Sequence, residues 1–506
     1  MSGPSVAVIG AGISGITAAH VLQECGFAVT VYERAPSVGG VWATTYPGVR
    51  LQNVRSQYHI SDFPWPEPPD LHPTGAQIRA YLEAAVERLG LDVRTLHDVA
   101  ALEEVPNGWR LSCETPRGPR RETFDYVVIA SGQYAEGKPR APLPGAAVFE
   151  GGVVTERDVR TLDLFDGRRV VVVGFGKSAV DMATLAAGRA LSVAQLFREP
   201  RWLIPPRLLG LHFTVPLFSR LGSVMMPSWA HPTRLERALH TRLRGVVGAF
   251  WRRIEGLFRG YITRHAARHA RGGDDARVRL AAVTPSHPLV YDLRSACALA
   301  PERYFALVAD GTIVPQRGEA VRLTRDALVL ADGTTLPCDL VVMCVGSASP
   351  RFPYLPAAHR ALLEGDDDGP QLYRHLVHPS IPRLGFAGFN HSFLHVPGVE
   401  VGTLWLAEYF RGRLRLPDAA EQAMQSVREW KRAHIRFEPS RGCAVSTRYQ
   451  QYLDILLMDL GLSPYRKLPN VPAELLARYG AGDYRGVRAE LAARRSGVRT
   501  PVAVDT

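Results

Sequence analysis

Three glycines at fixed spacing carry the first chemical signal in this chain. Gly10-Ala11-Gly12-Ile13-Ser14-Gly15 follows the apolar run Val6-Ala7-Val8-Ile9 and opens a periodic segment over 16–25. That is strand, glycine turn, helix. The first glycine permits the tight turn, the second lets backbone approach a diphosphate, and the third lets helix pack on strand. The diphosphate would sit on the positive helix N-terminus. The next apolar strand, 28–32, ends in Glu33, where the fingerprint places a carboxylate for a ribose 2′-hydroxyl. A carboxylate there repels a 2′-phosphate. The first site therefore reads as one for a plain adenosine dinucleotide, FAD or NAD.

The pattern then restarts. An apolar strand over 169–173 leads into Gly174-Phe175-Gly176-Lys177-Ser178-Ala179. From Gly12 to Glu33 is 21 positions (33 − 12), and the same step from Gly176 lands on Phe197, with Arg198 next and Arg201 close by. The acid is gone, and arginine near that place accommodates a 2′-phosphate. Glu199 is a mild counter-signal. The first site thus reads as FAD and the second as NADPH.

Elements must hold these turns in place. Returning apolar strands at 125–132 and 339–346, one per unit, point to a duplicated α/β architecture. The expected fold is two Rossmann-like, three-layer ββα dinucleotide-binding domains, with the NADPH domain inserted in the FAD domain. The expected boundaries are 1–160 and 336–435 for the FAD domain and 161–335 for the NADPH domain. A helical substrate-region insert falls at about 204–291, and 436–506 forms a C-terminal helical extension. Between the sites lies a long Gly/Pro/aromatic loop, 39–66, of the kind that carries function on a rigid scaffold. A helix is expected over 75–89, and strands at 93–95, 100–105 and 109–113 form a small antiparallel insertion. Strands recur at 304–308, 313–314, 328–330 and 383–390. A helix over 397–412 follows, its N-terminus favouring an anionic reduced flavin.

The insert is arginine-rich. Leu235, Leu239, Leu243, Val246, Phe250, Ile254, Leu257 and Tyr261 recur three and four residues apart, with Arg237, Arg242, Arg244, Arg252, Arg253 and Arg259 on other faces. This reads as a helix packed on its own protein. A dimer seam, part of a substrate cleft and a membrane-surface face are the alternatives.

Bulk properties exclude several classes. The 506 residues exceed one core, and 46% hydrophobic with 22% charged residues describes a globular protein. No apolar run reaches the ~18–20 residues of a membrane span. The first strand begins at Val6 and the C-terminus carries no lipidation signal, so the reading is a cytoplasmic protein without membrane contact. The net charge of +11 comes almost wholly from arginine, since only Lys138, Lys177, Lys431 and Lys467 are lysine. A GC-rich coding sequence accounts for that, and no basic run is interleaved with aromatics, which argues against nucleic acid. Cysteines 25, 113, 297, 338, 344 and 443 form no CxxC pair, so neither a structural metal site nor a disulfide-reductase motif is expected. His59, His212, His391 and His395 show no ligand spacing, although His391 and His395 follow the expected flavin strand and suit a substrate cleft.

The combination resembles the flavin-containing monooxygenase family. The residues that carry the resemblance are Gly10–Gly15, Gly39-Gly40-Val41-Trp42, Tyr46-Pro47-Gly48, Asp62-Phe63-Pro64 and Gly174–Ala179. The strand over 125–132 belongs to it too, with Leu372-Tyr373, Gly388-Phe389, Glu400 and Leu416-Pro417. It covers roughly 5–435, and the related Baeyer–Villiger monooxygenases share much of it. The resemblance implies that Gly10, Gly12, Ile13, Ser14, Gly15, Glu33, Arg34, Gly40, Val41, Trp42, Gly132 and Asn390 line the FAD site. It implies that Gly174, Gly176, Lys177, Ser178, Ala179, Arg198 and Arg201 line the NADPH site. Asn53 lies near the family's active-site asparagine, which positions nicotinamide and flavin; a slip of one residue makes Gln52 the alternative. One departure stands out. The family's Phe-x-Gly-x-x-x-His reads Phe149-Glu-Gly151-Gly-Val-Val-Thr155 here, with Val159 at the next, usually aromatic, marker. A hydroxyl cannot carry charge near neutrality. The acid that Baeyer–Villiger enzymes carry after Tyr-Pro-Gly is replaced by Leu51-Gln52.

The implied activity is an FAD-dependent, NADPH-consuming monooxygenase. It inserts one atom of O2 into a small organic substrate through a flavin C4a-(hydro)peroxide, by N-, S- or C-oxygenation, in a setting such as natural-product tailoring. The other readings are Baeyer–Villiger ketone oxygenation, an NADPH-dependent flavin reductase or oxidase without oxygen insertion, and a silent dinucleotide-binding protein. The sequence leaves the substrate and the oligomeric state open.

Overall fold

Both glycine turns sit at the ends of parallel strands buried on two sides, which explains why those strands are apolar throughout. The computed structural model describes residues 3–134, 143–208, 210–226, 233–268, 273–295, 298–365, 368–435, 441–496 and 502–503. Ten strands and three α-helices make up the regular structure among the described residues from 5 to 197. They are β1 (Ser5–Ile9), α1 (Ile13–Glu24), β2 (Ala28–Tyr32), α2 (Gly75–Arg88), β3 (Val93–Arg94), β4 (Asp98–Val105), β5 (Gly108–Glu114) and β6 (Arg120–Phe124). Then come β7 (Tyr126–Ile129), β8 (Gly152–Thr155), β9 (Arg169–Val173), α3 (Lys177–Ala186) and β10 (Ser192–Phe197).

The duplication is visible in strand order. The first sheet runs Leu384–Phe386, β7, β1, β2, β3, and the second runs β8, Leu340–Met343, β9, β10, Ile313–Arg317, all parallel. Each glycine-turn strand is therefore central in its sheet. Each sheet is backed by a three-stranded antiparallel layer: β4–β5–β6 on the first, and Ala320–Leu323, Ala327–Leu330 and Thr335–Pro337 on the second. Within β1, Val6 and Val8 pack with Ile16 and Leu22 of α1, while Ala7 and Ile9 pack with Trp109 and Leu111. Val170 and Val172 likewise face α3, and Val171 faces Leu328 and Leu330. Burial of each such side chain contributes about 1.5–3 kcal/mol. Helix, parallel sheet and antiparallel sheet make the expected three layers, twice. A capping box at Thr74 and Gln77 starts α2, as the expected helix requires.

Four expectations are corrected. β8 and Leu340–Met343 both belong to the second sheet, which spans 152–343, so the boundaries at 160/161 and 335/336 cut through it. Val93–Arg94 extends the first parallel sheet instead of joining the antiparallel layer. Tyr304–Ala309 is a helix, not a strand, because its apolar run is buried all round. In the helix Arg244–Arg268 the buried stripe is Val247, Trp251, Phe258 and Ile262, while Leu235, Leu243 and Val246 are exposed.

The insert and the C-terminal residues pack as one body on the first domain. Phe218 stacks on Tyr449 with ring centroids 5.0 Å apart. Arg448 pairs with Glu236 at 2.5 Å, both buried, and Arg220 pairs with Asp454 at 2.6 Å and with Glu474. Pairs so buried give little net stability but are costly to break singly. The expected 436–506 extension is thus part of the first core, and Arg488 within it pairs with Asp62 of the Asp-Phe-Pro loop.

Candidate functional site

The two turns are superimposable in their hydrogen bonding. Gly10 N donates to Tyr32 O at 2.8 Å, and Gly174 N donates to Leu196 O at 2.8 Å. Tyr32 and Leu196 are therefore equivalent, and Glu33 is matched by Phe197. A Cβ on Gly10 would lie 2.7 Å from Ala130 O, and one on Gly174 would lie 2.3 Å from Cys344 O. Both glycines have positive φ, +107° and +129°, so only glycine fits either turn.

Past those shared features the sites diverge. Glu33 is buried, and its carboxylate accepts from Ala11 N and Ala35 N, each at 2.8 Å. Those two bonds aim it at the mouth of the first turn with lone pairs left for hydroxyls. Phe197, its counterpart, is buried against Phe175 at 4.6 Å and offers no acceptor. Arg198 is exposed directly after it, and Arg201 is half-buried. Ser178 is half-buried on the first turn of α3, and no atom comes within 4 Å of a Cβ built on Gly176. That opening suits a bulky anion over the helix N-terminus. Lys177 is not free to meet it, since Nζ pairs with Asp181 Oδ1 at 2.6 Å.

The first site is a cradle with unfilled polar groups. Gly12 and Gly40 approach closely: a Cβ on Gly40 would lie 3.0 Å from Gly12 Cα. Ile13 and Ser14 are buried, and Ser14 Oγ meets His395 Nε2 at 2.9 Å. Arg34 and Val41 are exposed, whereas Trp42 donates from Nε1 to Tyr58 OH at 2.9 Å. Gly132 has open space beside it. Buried Asn390 Oδ1, Gln133 Oε1 and Ser392 Oγ meet no hydrogen-bond partner among the described residues. Orphaned buried polar atoms call for a bound group, and glycine backbone plus amide and hydroxyl groups fit a flavin dinucleotide.

The two candidate amides, Asn53 and Gln52, point in different directions. Asn53 is buried, and Nδ2 donates to Phe393 O, two residues before the helix His395–Phe410. Gln52 turns the other way, accepting from Leu299 N at 2.9 Å. Asn53 therefore points toward the entrance of the helix His395–Phe410, and Gln52 toward the strand Ala298–Leu299. His72 Nδ1 lies 3.0 Å from Asn53 O and 3.1 Å from Leu51 O. Carbonyls only accept, so Nδ1 carries the proton, and His72 Nε2 accepts from His212 Nε2 at 3.1 Å. His212 Nδ1 in turn accepts from Thr214 Oγ1 at 2.8 Å. Burial, and then the neighbouring imidazole, push His212 down to about 4; burial also lowers His72. The pair stays neutral and ties the Asn53 loop to the insert. Sequence reading missed it, since the partners are 140 residues apart and no local pattern marks them.

One further contact joins the halves. Tyr46 OH donates to Asp181 Oδ2 at 2.7 Å, so the Tyr-Pro-Gly loop grips α3 of the second unit. Thr155, in the family's histidine position, gives both N and Oγ1 to Asp158 Oδ2, at 2.8 and 2.9 Å. It closes a turn at the end of β8 and is buried. His391 and His395 are half-buried, and desolvation lowers each to about 4, so both are neutral here.

Glu400, inside the helix His395–Phe410, accepts from Ser61 N at 2.9 Å and meets Ser61 Oγ at 2.8 Å. Burial raises its carboxyl to about 8, against the opposing pull of the Ser61 bonds. The folded protein keeps this proton after the unfolded chain has lost it. Stability from this group is full below its ordinary 4.5 and is lost as pH rises toward about 8. Glu400→Gln reproduces the neutral bonding pattern. Its melting temperature should fall less steeply than wild type over that window, a difference on the order of a few kcal/mol by pH 8. Parallel pH–melting curves for the two proteins check this, and identical slopes would refute it.

The flavin-binding monooxygenase-like family model matches residues 3–242. A probable flavin-containing monooxygenase 1 of Arabidopsis thaliana is 30% identical over 95% of this chain and 96% of its own length. An open crystal structure of cyclohexanone monooxygenase aligns with a TM-score of 0.67 at 17% identity, covering 90% of this chain and 98% of that one. An oxidised steroid monooxygenase bound to NADP aligns with a TM-score of 0.62 at 22% identity, covering 97% and 98%. No helix among the described residues is long and apolar enough to cross a membrane.

Proposed function

This chain belongs to the flavin-containing monooxygenase family, and from that premise we propose that it oxygenates a soft nucleophilic nitrogen or sulfur atom of a small organic molecule. It is a flavin-dependent monooxygenase, with FAD and NADPH as cofactors. Bound at the two turns, these groups supply hydride and, through reduced flavin, activated oxygen. The overall reaction takes NADPH, a proton, O2 and substrate to NADP+, water and oxygenated substrate.

The chain's own residues bind and orient. Glu33 accepts ribose hydroxyls at the first turn, and Gly12 and Gly40 admit the diphosphate. Arg198 takes the 2′-phosphate of NADPH at the second, where Phe197 cannot repel it. The N-terminus of the helix His395–Phe410 stabilises negative charge on the reduced ring. Asn53, held by Phe393 and fixed from behind by His72, presents a neutral amide to the reacting edge. That neutral amide carries the choice of substrate class. The stretch after Tyr46-Pro47-Gly48 reads Val49-Arg50-Leu51-Gln52-Asn53 and offers no carboxylate there to organise attack on a ketone, and Thr155 is committed to its turn. The tailoring of a small metabolite in the cytoplasm, where NADPH is supplied, fits this reading.

An aryl methyl sulfide, a tertiary amine and a cyclic ketone, offered separately with NADPH, test the substrate class. Sulfoxide or N-oxide is expected. Lactone from the ketone, with neither of the others, would overturn the proposal. Arg198→Ala should raise KM for NADPH about 10–100-fold, the range for loss of one charge-assisted contact, and leave KM for NADH unchanged. An equal rise for both nucleotides would mean that Arg198 does not read the 2′-phosphate.

A further inference from the structure

A glutamine sits where a core strand calls for an apolar residue. Gln195 lies in β10, fully buried, on the same face as Val193 and Phe197, which pack with Ala179 and Ala183 of α3. A buried amide is costly unless it is bonded. Nε2 of Gln195 donates to Gly174 O at 3.1 Å, and Tyr304 OH, also fully buried, donates to its Oε1 at 2.7 Å. A carbonyl only accepts, so the bond to Gly174 O fixes which way the amide points. The glutamine thus holds the carbonyl of the first glycine in the second turn.

The first turn is held from the other end of the same peptide. Ala11 N donates to Glu33 Oε2 at 2.8 Å. By the register of the two sheets, Ala11 corresponds to Phe175, Glu33 to Phe197 and Val31 to Gln195. The Phe197 side chain has no acceptor for Phe175 N, and the Val31 side chain has no donor for Gly10 O. Each unit therefore clamps this peptide once, from opposite ends. The last residue of each motif fits the difference. A Cβ on Gly15 would lie 1.8 Å from Gly10 O, so that carbonyl rests against the backbone of α1. Ala179 carries a real Cβ, and Gly174 O cannot take the same place over α3. A carboxylate at position 197 would clamp Phe175 N but repel a 2′-phosphate. We propose that Gln195, steadied by Tyr304, is a positioning residue of the NADPH site. It fixes the Gly174–Phe175 peptide from its carbonyl end, because a nucleotide with a 2′-phosphate excludes the acid that would fix it from the other. The peptide is planar and trans, so pinning the carbonyl inward turns the Phe175 N–H to the opposite side. The turn then has its binding shape before the nucleotide arrives. The proposal rests on the reading of the second turn as the NADPH site, and Arg198→Ala separates the two.

Calorimetric titration of the oxidised, flavin-loaded protein with NADP+ and with NAD+ tests it. Gln195→Val, which copies the first unit, should weaken both nucleotides alike by about tenfold, the scale of one buried hydrogen bond left unmade. Arg198→Ala should weaken NADP+ only. Adding Ala179→Gly to Gln195→Val should restore most of the loss, because Gly174 O can then rest on α3 as Gly10 O rests on α1. A side chain that merely fills space would not be rescued in this way. Flavin absorbance and melting temperature confirm that each variant is folded. Should Gln195→Val fail to fold, Gln195→Val with Tyr304→Phe removes the stranded hydroxyl and is read in its place. Unchanged affinity for both nucleotides in Gln195→Val, beside weakened NADP+ in Arg198→Ala, would overturn the proposal and leave the site standing. No loss in either variant would overturn the site as well. A loss that Ala179→Gly does not recover would assign Gln195 to packing alone and overturn its positioning role.

Discussion

Replacing Asn53 with alanine should lower formation of oxygenated product about 10²–10³-fold while NADPH oxidation continues, its electrons appearing as hydrogen peroxide. The magnitude is that of losing one preorganised donor at a reacting centre. The reason lies in where the amide is held. Asn53 is buried, its Nδ2 bound to Phe393 O at the entrance of the helix His395–Phe410, and its own carbonyl bound by His72. Alanine removes the side-chain group and leaves the backbone tether, so the fold and both dinucleotide sites persist. Gln52→Ala should have a smaller effect on coupling, because its amide accepts from Leu299 N instead. Product yield and peroxide per NADPH, measured together, check this. Equal uncoupling in the two variants would remove the distinction.

The second large effect is at Gly15. A Cβ there would lie 1.8 Å from Gly10 O, and that oxygen belongs to a turn with no freedom to shift, because Gly10 itself abuts Ala130 O. Gly15→Ala must therefore open the first turn, and flavin affinity should fall by more than about 10²-fold, or the protein should be isolated colourless. The second unit supplies an internal control. Ala179 occupies the equivalent place, fully buried, so the position tolerates a methyl group when the turn is built for it. Ala179→Gly should keep NADPH binding and cost about 0.5–1 kcal/mol as a glycine in a helix. The flavin-to-protein absorbance ratio, with far-ultraviolet circular dichroism to verify folding, decides the first claim. Full flavin occupancy in Gly15→Ala would refute it.

Much of this was legible because backbone geometry imposes it on residue type. The turns at Gly10 and Gly174 admit only glycine, and the step from Gly12 to Glu33 and from Gly176 to Phe197 is a strand register that the hydrogen bonds reproduce. The three-layer architecture followed from strands apolar throughout. What sequence could not provide was non-local. Gly152–Thr155 is four residues long and owes its sheet to Leu340–Met343, nearly 200 positions away, so the domain boundaries were misplaced. Tyr304–Ala309 is a short apolar run that periodicity cannot assign, and packing made it a helix. The different directions of the Gln52 and Asn53 side chains are set by tertiary partners, Leu299 and Phe393. The His72–His212 pair, the hold of Glu400 on Ser61 and the grip of Tyr46 on Asp181 join segments that share no local pattern. Cys297 and part of the loop after Gly132 lie outside the described residues.

In the proposed function, the first turn holds the group that delivers oxygen and the second feeds it from NADPH. Turnover of an aryl methyl sulfide under 18O2, with product mass and NADPH consumption read together, tests it most directly. One 18O atom in the sulfoxide is expected for each NADPH oxidised, and none from labelled water. NADPH oxidation that yields only labelled hydrogen peroxide, with no label in the sulfide or in an amine offered beside it, would contradict it.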